Sequence, residues 1–274
     1  MGFGATLVVG PSKPELPAHL NSAIVDVCHE ALKERGIFTI ALSGGSLPGF
    51  LGSMQESFDA KGIDPKFEAW HVILADERCV KSDDPDSNLG SLQSKFFSKV
   101  KIPTSQIYGI NEDKLESTEA VAVDYEAVVK KVLGLSGGQL DLAVLGFGPD
   151  GHTCSLFPNH ALLEEKSKWV APIEDSPKPP PKRITLTYPV LNTMTRHVIF
   201  CGAGSSKGPI LQGVFETVNK SEQACSVEGG SLYTVSIKEP APYPSAGVLP
   251  NSEGTENTLT WIVDQDAMAG VDIK

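Results

Sequence analysis

Apolar runs that each end in a cluster of glycine and polar residues constrain this chain more than any other feature. Residues 37–42 run into Ser43-Gly44-Gly45-Ser46, and residues 70–74 into Asp76-Glu77-Arg78. Residues 140–145 run into Gly146-Phe147-Gly148-Pro149-Asp150-Gly151-His152, and residues 198–201 into the segment 202–208. Short apolar runs without alternation fit strands buried on both faces, as in parallel sheets. Between them the period changes to that of a helix. Leu16, Leu20, Ile24, Val27, Cys28 and Ala31 share one face, with Gly36 as a stop, and Val121, Tyr125, Val128, Val129 and Val132 mark a second long helix. Pro48 and Pro209 suit first turns of helices. Residues 5–9, 183–187 and 258–263 read as further strands. Strands alternating with helices predict an α/β fold with a mostly parallel sheet covered on both faces. Proline-rich stretches at 177–181 and 240–250 read as loops. A strand follows the first at once, so it reads as a rigid loop, and residues 1–274 as one domain.

Composition narrows the function. The formal net charge of −11 on 274 residues argues against nucleic-acid binding, which needs a basic face. It also requires any anionic substrate to meet a local positive pocket. The five cysteines form no C-x-x-C pair, which suits reduced thiols in a cytoplasmic protein. No apolar run approaches the ~20 residues of a membrane span, and no basic segment opens a signal peptide. Residues 1–6 fit a loose myristoylation pattern, but residues 5–9 look like an early strand. None of the six histidines has the spacing of a metal site, so no metal is expected.

In a parallel sheet the carboxyl ends of the strands lie along one edge, so the polar clusters can share one cleft. His152 on a tight turn is a candidate general base, because its ordinary pKa lies nearest neutrality; Asp150 stands two residues before it. Residues 146–151 also fit G-x-G-x-x-G. A dinucleotide loop is the weaker reading, because Pro149 and His152 suit it poorly, although Glu174 lies near the distance at which an acid is needed. Ser43, Gly44, Gly45 and Ser46 can cradle an anion with backbone N–H groups backed by a helix N-terminus; the alternative is an ordinary turn capped by Ser46. Asp76 and Arg78 follow a buried strand: Arg78 would meet an anionic group and Asp76 fix geometry, unless the segment is a solvated loop. Asp83, Asp84 and Asp86 read as capping and solvation. Residues 202–208 lack the G-K-[ST] ending of a P-loop, yet Lys207 sits where it could meet a phosphate. Lys182 and Arg183 open a strand, and each alone reads as a surface charge.

Taken in order, these segments resemble the glucosamine-6-phosphate isomerase/6-phosphogluconolactonase family. The resemblance rests on Leu42 to Ser46, Ala75 to Val80, Asp86-Ser87-Asn88, Leu145 to Pro158, Pro180 to Thr187, and Ser206-Lys207-Gly208. It implies a Rossmann-like three-layer α/β/α sandwich like that of the ribose-phosphate and glucosamine-phosphate isomerases. It also implies hydrolysis of 6-phospho-D-glucono-1,5-lactone, the second step of the pentose phosphate pathway, without a cofactor. The related isomerases carry an F-N-E-P-like segment where this chain has Ser155-Leu156-Phe157-Pro158, and the missing glutamate favours the lactonase. His152 would be the general base with Asp150 orienting it, and Arg78 would stabilise the oxyanion. Ser43, Gly44, Gly45, Ser46, Asp76, Gly151, Arg183 and Lys207 would bind substrate. The only partner implied is the phosphorylated sugar lactone, for a cytoplasmic monomer or weak homodimer that binds no nucleic acid or membrane. The alternatives are a glucosamine-6-phosphate deaminase and a non-catalytic sugar-phosphate-binding regulator.

Overall fold

The computed structural model describes residues 2–251 and 258–274, so Met1 of the myristoylation-like start lies outside the described residues. The main sheet has nine strands. They are β1 (Phe3–Gly10), β2 (Phe38–Leu42), β3 (Trp70–Leu74), β5 (Ile107–Tyr108), β6 (Leu140–Leu145), β9 (Thr195–Gly202), β10 (Phe215–Lys220), β11 (Ser231–Ile237) and β12 (Thr258–Asp264). Their spatial order is β10-β11-β1-β12-β9-β6-β2-β3-β5. From β1 to β5 every neighbouring pair is parallel, whereas β11 is antiparallel to both β1 and β10. The fold is therefore α/β with a mostly parallel sheet.

The connections place the site. From β2 the chain steps outward through β3 to β5. It then returns to the other side of β2 as β6 and steps the opposite way to β9 and β12. Strand order thus reverses between β2 and β6, and ligands of open α/β sheets bind in the crevice at the carboxyl ends of such a switch point.

Burial explains why these runs became strands. Every residue of β2 and β6 is buried, and successive side chains point to opposite faces, so both faces are covered. The helices α1 (Leu16–Arg35), α2 (Leu47–Phe50), α3 (Met54–Lys61), α4 (Asn88–Lys95), α5 (Thr118–Leu135) and α6 (Gly208–Val214) supply cover. The face of α1 formed by Leu16, Leu20, Ile24, Cys28 and Ala31 is buried against β1, β2, β6 and β12. Gly36 ends α1 in the left-handed conformation, φ 70°, which glycine adopts without strain. At the amino end of β6, the fully buried Asp141 accepts from Arg35 at 2.8 Å, Arg196 at 3.0 Å and the Thr39 backbone N–H at 2.8 Å. This staple ties α1, β2, β6 and β9 together below the sheet's functional edge.

Two features depart from the sequence reading. Asp76–Arg78 is neither the tail of β3 nor a solvated loop but a strand, β4, in a second sheet. That sheet has the order β4-β8-β7, with β7 at Val170–Ile173 and β8 at Arg183–Leu186, all antiparallel. The 183–187 run thus belongs to this small sheet rather than the main one, and α5 packs against β3, β7 and β8. The antiparallel strands β10 and β11 carry exposed positions and no continuous apolar run, so the sequence pattern did not mark them.

Candidate active site

The carboxyl ends of β2, β6 and β9, together with β4 and β8, enclose a cleft of about 250 Å³. Ser43, Gly44, Gly45, Ser46, Asp76, Arg78, His152, Arg183 and Lys207 all line it. The polar clusters inferred at separate strand ends therefore converge.

The turn after β6 is held by its own packing. Phe147 is buried with its ring edge-on to Trp261, centroids 5.1 Å apart, and Trp261 stacks on Phe200 at 4.3 Å. Burying such a ring is worth roughly 1.5–3 kcal/mol, so the turn is anchored to β9 and β12. Gly202 makes room for it, since a Cβ there would lie 2.6 Å from the Phe147 ring. The Gly148 N–H donates to the His152 carbonyl at 2.8 Å, closing the loop. A Cβ on Gly148 would lie 2.1 Å from His152 Nδ1 and 2.5 Å from Asp150 Oδ1, so only glycine leaves space for the Asp150–His152 pair.

Asp150 does not line the cleft but stands behind it. Its Oδ1 meets His152 Nδ1, and its Oδ2 meets Lys178 Nζ at 3.0 Å. Burial works against its charge, but the hydrogen bonds from His152 and Lys178 outweigh that and hold its carboxyl down at about 2. Burial also pushes the His152 pKa below its ordinary value, against the pull of Asp150, while the nearby Lys178 charge adds to the depression. The imidazole is therefore neutral at neutral pH, as a general base must be. With Nδ1–H given to Asp150, Nε2 keeps its lone pair, and it makes no hydrogen bond to another described residue. Gly151 does not line the cleft either. Its φ is +79°, and a Cβ would strike the Tyr243 ring at 2.5 Å, so its place is to turn the chain.

Arg78 and Arg183 are directly opposed across the β4–β8 pair. Like charges in that position repel, and both line the cleft. Arg78 Nη1 donates to the Asp86 carbonyl, and its buried Nε has no partner among the described residues. Arg183 gives Nε to the Pro180 carbonyl at 2.9 Å and Nη2 to the Lys178 and Pro179 carbonyls at 3.0 and 2.9 Å. Burial, and then Arg78, lower its pKa. Burial and then Lys178 lower that of Lys207, whose Nζ donates to the Phe147 carbonyl. Asp76 is buried and accepts from Ser155 Oγ at 2.9 Å. Glu77, between the two cleft residues, is structural: it accepts from the Arg78, Asn88 and Leu89 N–H groups at 2.7, 2.8 and 2.8 Å, joining β4 to α4.

The Ser43 to Ser46 turn lacks the helix backing expected of an anion cradle. Helix α2 has a single turn, and Ser46 makes no side-chain cap, so no long helix dipole stands behind Ser43 to Ser46. What remains is the backbone. Gly45 has φ +70°, and Gly44 lies so close to Asn88 that a Cβ would fall 1.8 Å from Asn88 Oδ1. From sequence, Asn88 entered only within the Asp86-Ser87-Asn88 segment, and Lys13 and Lys178 had no role, yet Asn88 and Lys13 line the cleft and Lys178 holds Asp150. Lys13 opens a single 3-10 turn and Lys178 sits in a proline-rich loop, so neither belongs to a periodic pattern that would have marked it. Among the described residues no group of three or more His, Cys, Asp or Glu side chains is placed to hold a metal ion. No helix among them is long and apolar enough to cross a membrane.

Residues 11–234 match the family model of glucosamine-6-phosphate isomerases/6-phosphogluconolactonase. The chain belongs to this family. It is 40% identical over 219 residues to the 6-phosphogluconolactonase of Rattus norvegicus, an alignment covering 79% of this chain and 84% of that protein. It is also 40% identical over 225 residues to the chloroplastic 6-phosphogluconolactonase 3 of Arabidopsis thaliana, covering 79% and 68%. The crystal structure of the 6-phosphogluconolactonase of Thermotoga maritima shares the fold, with a TM-score of 0.71 at 24% identity over 94% of this chain and 100% of that one.

Proposed function

We propose that the chain hydrolyses 6-phospho-D-glucono-1,5-lactone to 6-phosphogluconate, the second step of the oxidative pentose phosphate pathway. The observation that carries this is one cleft holding a neutral histidine beside Lys13, Arg78, Arg183 and Lys207, on a chain of net charge −11. A phosphorylated sugar lactone needs both halves of that arrangement. The phosphate rests on Gly44, Gly45 and Ser46, with Arg183 and Lys207 balancing its charge, while Arg78, opposed to Arg183 across β4 and β8, is left for the lactone carbonyl. Ser43 and Asp76 shape the cleft floor, and Gly151 serves the substrate only through the turn it makes.

A lactone is an activated ester, so water needs a base but no covalent intermediate. His152 Nε2 takes a proton as the water oxygen bonds to C1, and Asp150 holds the imidazolium that forms. Arg78 and N–H groups of the glycine turns meet the charge developing on the carbonyl oxygen. The bond from C1 to the ring oxygen then breaks. The ring oxygen recovers the proton from Nε2, and the new carboxylic acid ionises. No cofactor enters these steps. The enzyme acts as one domain, a monomer or weak homodimer, in the cytoplasm, with no nucleic-acid or membrane partner. The buried Ser155, Leu156 and Phe157 after the catalytic turn provide no acid for deamination, and a mere binder has no use for an oriented base.

The test is to follow acid release from freshly prepared 6-phosphogluconolactone, with spontaneous opening subtracted. Acid release above that background is expected. Ammonia release from glucosamine 6-phosphate instead, or binding of 6-phosphogluconate without turnover of the lactone, would replace this function with one of the alternatives.

A further inference from the structure

Lys178 lies on the proline-rich loop between β7 and β8, and its position is built rather than incidental. Its backbone carbonyl accepts from Arg183 Nη2 at 3.0 Å and from Ser176 Oγ at 2.8 Å, and its N–H donates to Ser176 Oγ at 3.2 Å. Arg183 also grips the next two carbonyls of the loop. The side chain reaches back so that Nζ lies 3.0 Å from Asp150 Oδ2 and 3.0 Å from His152 Nδ1. An ammonium has only donors. The arrangement that satisfies all partners has Asp150 accepting from Lys178 on one oxygen and from His152 Nδ1–H on the other.

We propose that Lys178 is a positioning residue for His152, holding Asp150 in place and keeping the imidazole neutral and unprotonated at Nε2. This rests on the general-base reading given above. The charged groups facing His152 are Asp150 on its own turn, Lys178 from the proline-rich loop and Asp76 from β4. On its far side the ring packs on Phe157, which carries the Arg183 guanidinium 5.7 Å from its centroid. Asp150 and Asp76 favour the imidazolium and Lys178 opposes it. Without Lys178 the two acids act unopposed, and a histidine protonated near neutral pH is no base. The loop thus couples Arg183, placed at the phosphate, to the basicity of a residue at the opposite end of the substrate.

The experiment compares Lys178→Gln, which keeps a hydrogen-bond donor but removes the charge, with Lys178→Arg, which keeps both. The His152 imidazole is titrated by NMR in the free protein, and kcat/KM is measured against pH. In Lys178→Gln the His152 midpoint rises by about one pH unit, the order expected for losing a partly exposed like charge in close contact, and the acid limb of kcat/KM rises with it. In Lys178→Arg both stay near wild type. An unmoved midpoint in Lys178→Gln, or an equal rise in both variants, overturns the proposal; so does a rise in KM alone, which would make Lys178 a substrate ligand. The NMR titration needs no turnover. If the wild-type acid limb does not follow the His152 midpoint, the general-base reading fails, while the Lys178 result is still decided.

Discussion

The contact between Gly44 and Asn88 yields a prediction whose size follows from the geometry. Gly44 has no left-handed backbone angle, so alanine there costs only space. Its Cβ would lie 1.8 Å from Asn88 Oδ1 and 2.3 Å from Asn88 Cγ, distances no real structure holds. Asn88 cannot retreat cheaply. It is 2% exposed, its N–H is bound by Glu77 at 2.8 Å, and its Nδ2 donates to the Asp76 carbonyl at 2.8 Å. Overpacking costs about 1–3 kcal/mol, and leaving the buried Asp76 carbonyl unpaired costs about as much again, so Gly44→Ala loses roughly 2–6 kcal/mol. Urea unfolding measures that loss, and, with the phosphate placed on this turn as proposed, KM for the lactone rises. Asn88→Ala removes the obstacle, so the double variant is barely less stable than Asn88→Ala alone. The coupling is then more than ~1 kcal/mol in favour of the pair. A Gly44→Ala protein within ~0.5 kcal/mol of wild type, or strictly additive losses, would refute the packing argument.

Gly148→Ala places a methyl group inside the Asp150–His152 hydrogen bond, so kcat falls by ~10²–10⁴, the usual contribution of a general base. Steady-state kinetics beside an unfolding curve separate this from instability, and unchanged kcat would mean that the pair is not needed. On the proposed placement, Arg78→Met and Arg183→Met each remove a charged partner of the substrate, worth ~1.5–3 kcal/mol or roughly 10–160-fold in kcat/KM. Arg183→Met lowers kcat as well, because it releases the loop that carries Lys178. Inorganic phosphate as a competitive inhibitor reports the Arg183 and Lys207 pocket, and a normal KM in Arg183→Met would place the phosphate elsewhere.

Much of this molecule was legible before its structure, for a physical reason. A parallel strand covered on both faces must be apolar at most positions, so β2, β3, β6 and most of β9 stand out as nearly continuous runs interrupted only by Thr39, His71 and Asp141. The turns at their ends must be polar or glycine-rich, so residues 43–46 and 146–152 stood out too. Their convergence follows from parallel strands sharing an edge, which is why Ser43, His152 and Lys207 could be grouped from sequence alone. The small sheet was not legible. Strand β4 has three residues, all charged, and becomes a strand only because β8 is there to pair with it. Strands β10 and β11 are half exposed and carry no signature of their own. The cleft's supporting residues were hidden for a third reason. Asn88 acts through the space it fills beside Gly44, and Lys178 through a loop pinned by Arg183. Neither relation is local in sequence.

The central claim is that His152 activates water for attack on a phosphorylated lactone. The most direct measurement is acid release from freshly prepared 6-phosphogluconolactone by His152→Ala beside wild type, with the spontaneous rate subtracted and folding checked by urea denaturation. The account predicts a folded variant whose kcat falls by ~10²–10⁴ while its affinity for the phosphorylated product is retained. A folded His152→Ala protein that turns over the lactone at close to the wild-type rate would contradict it.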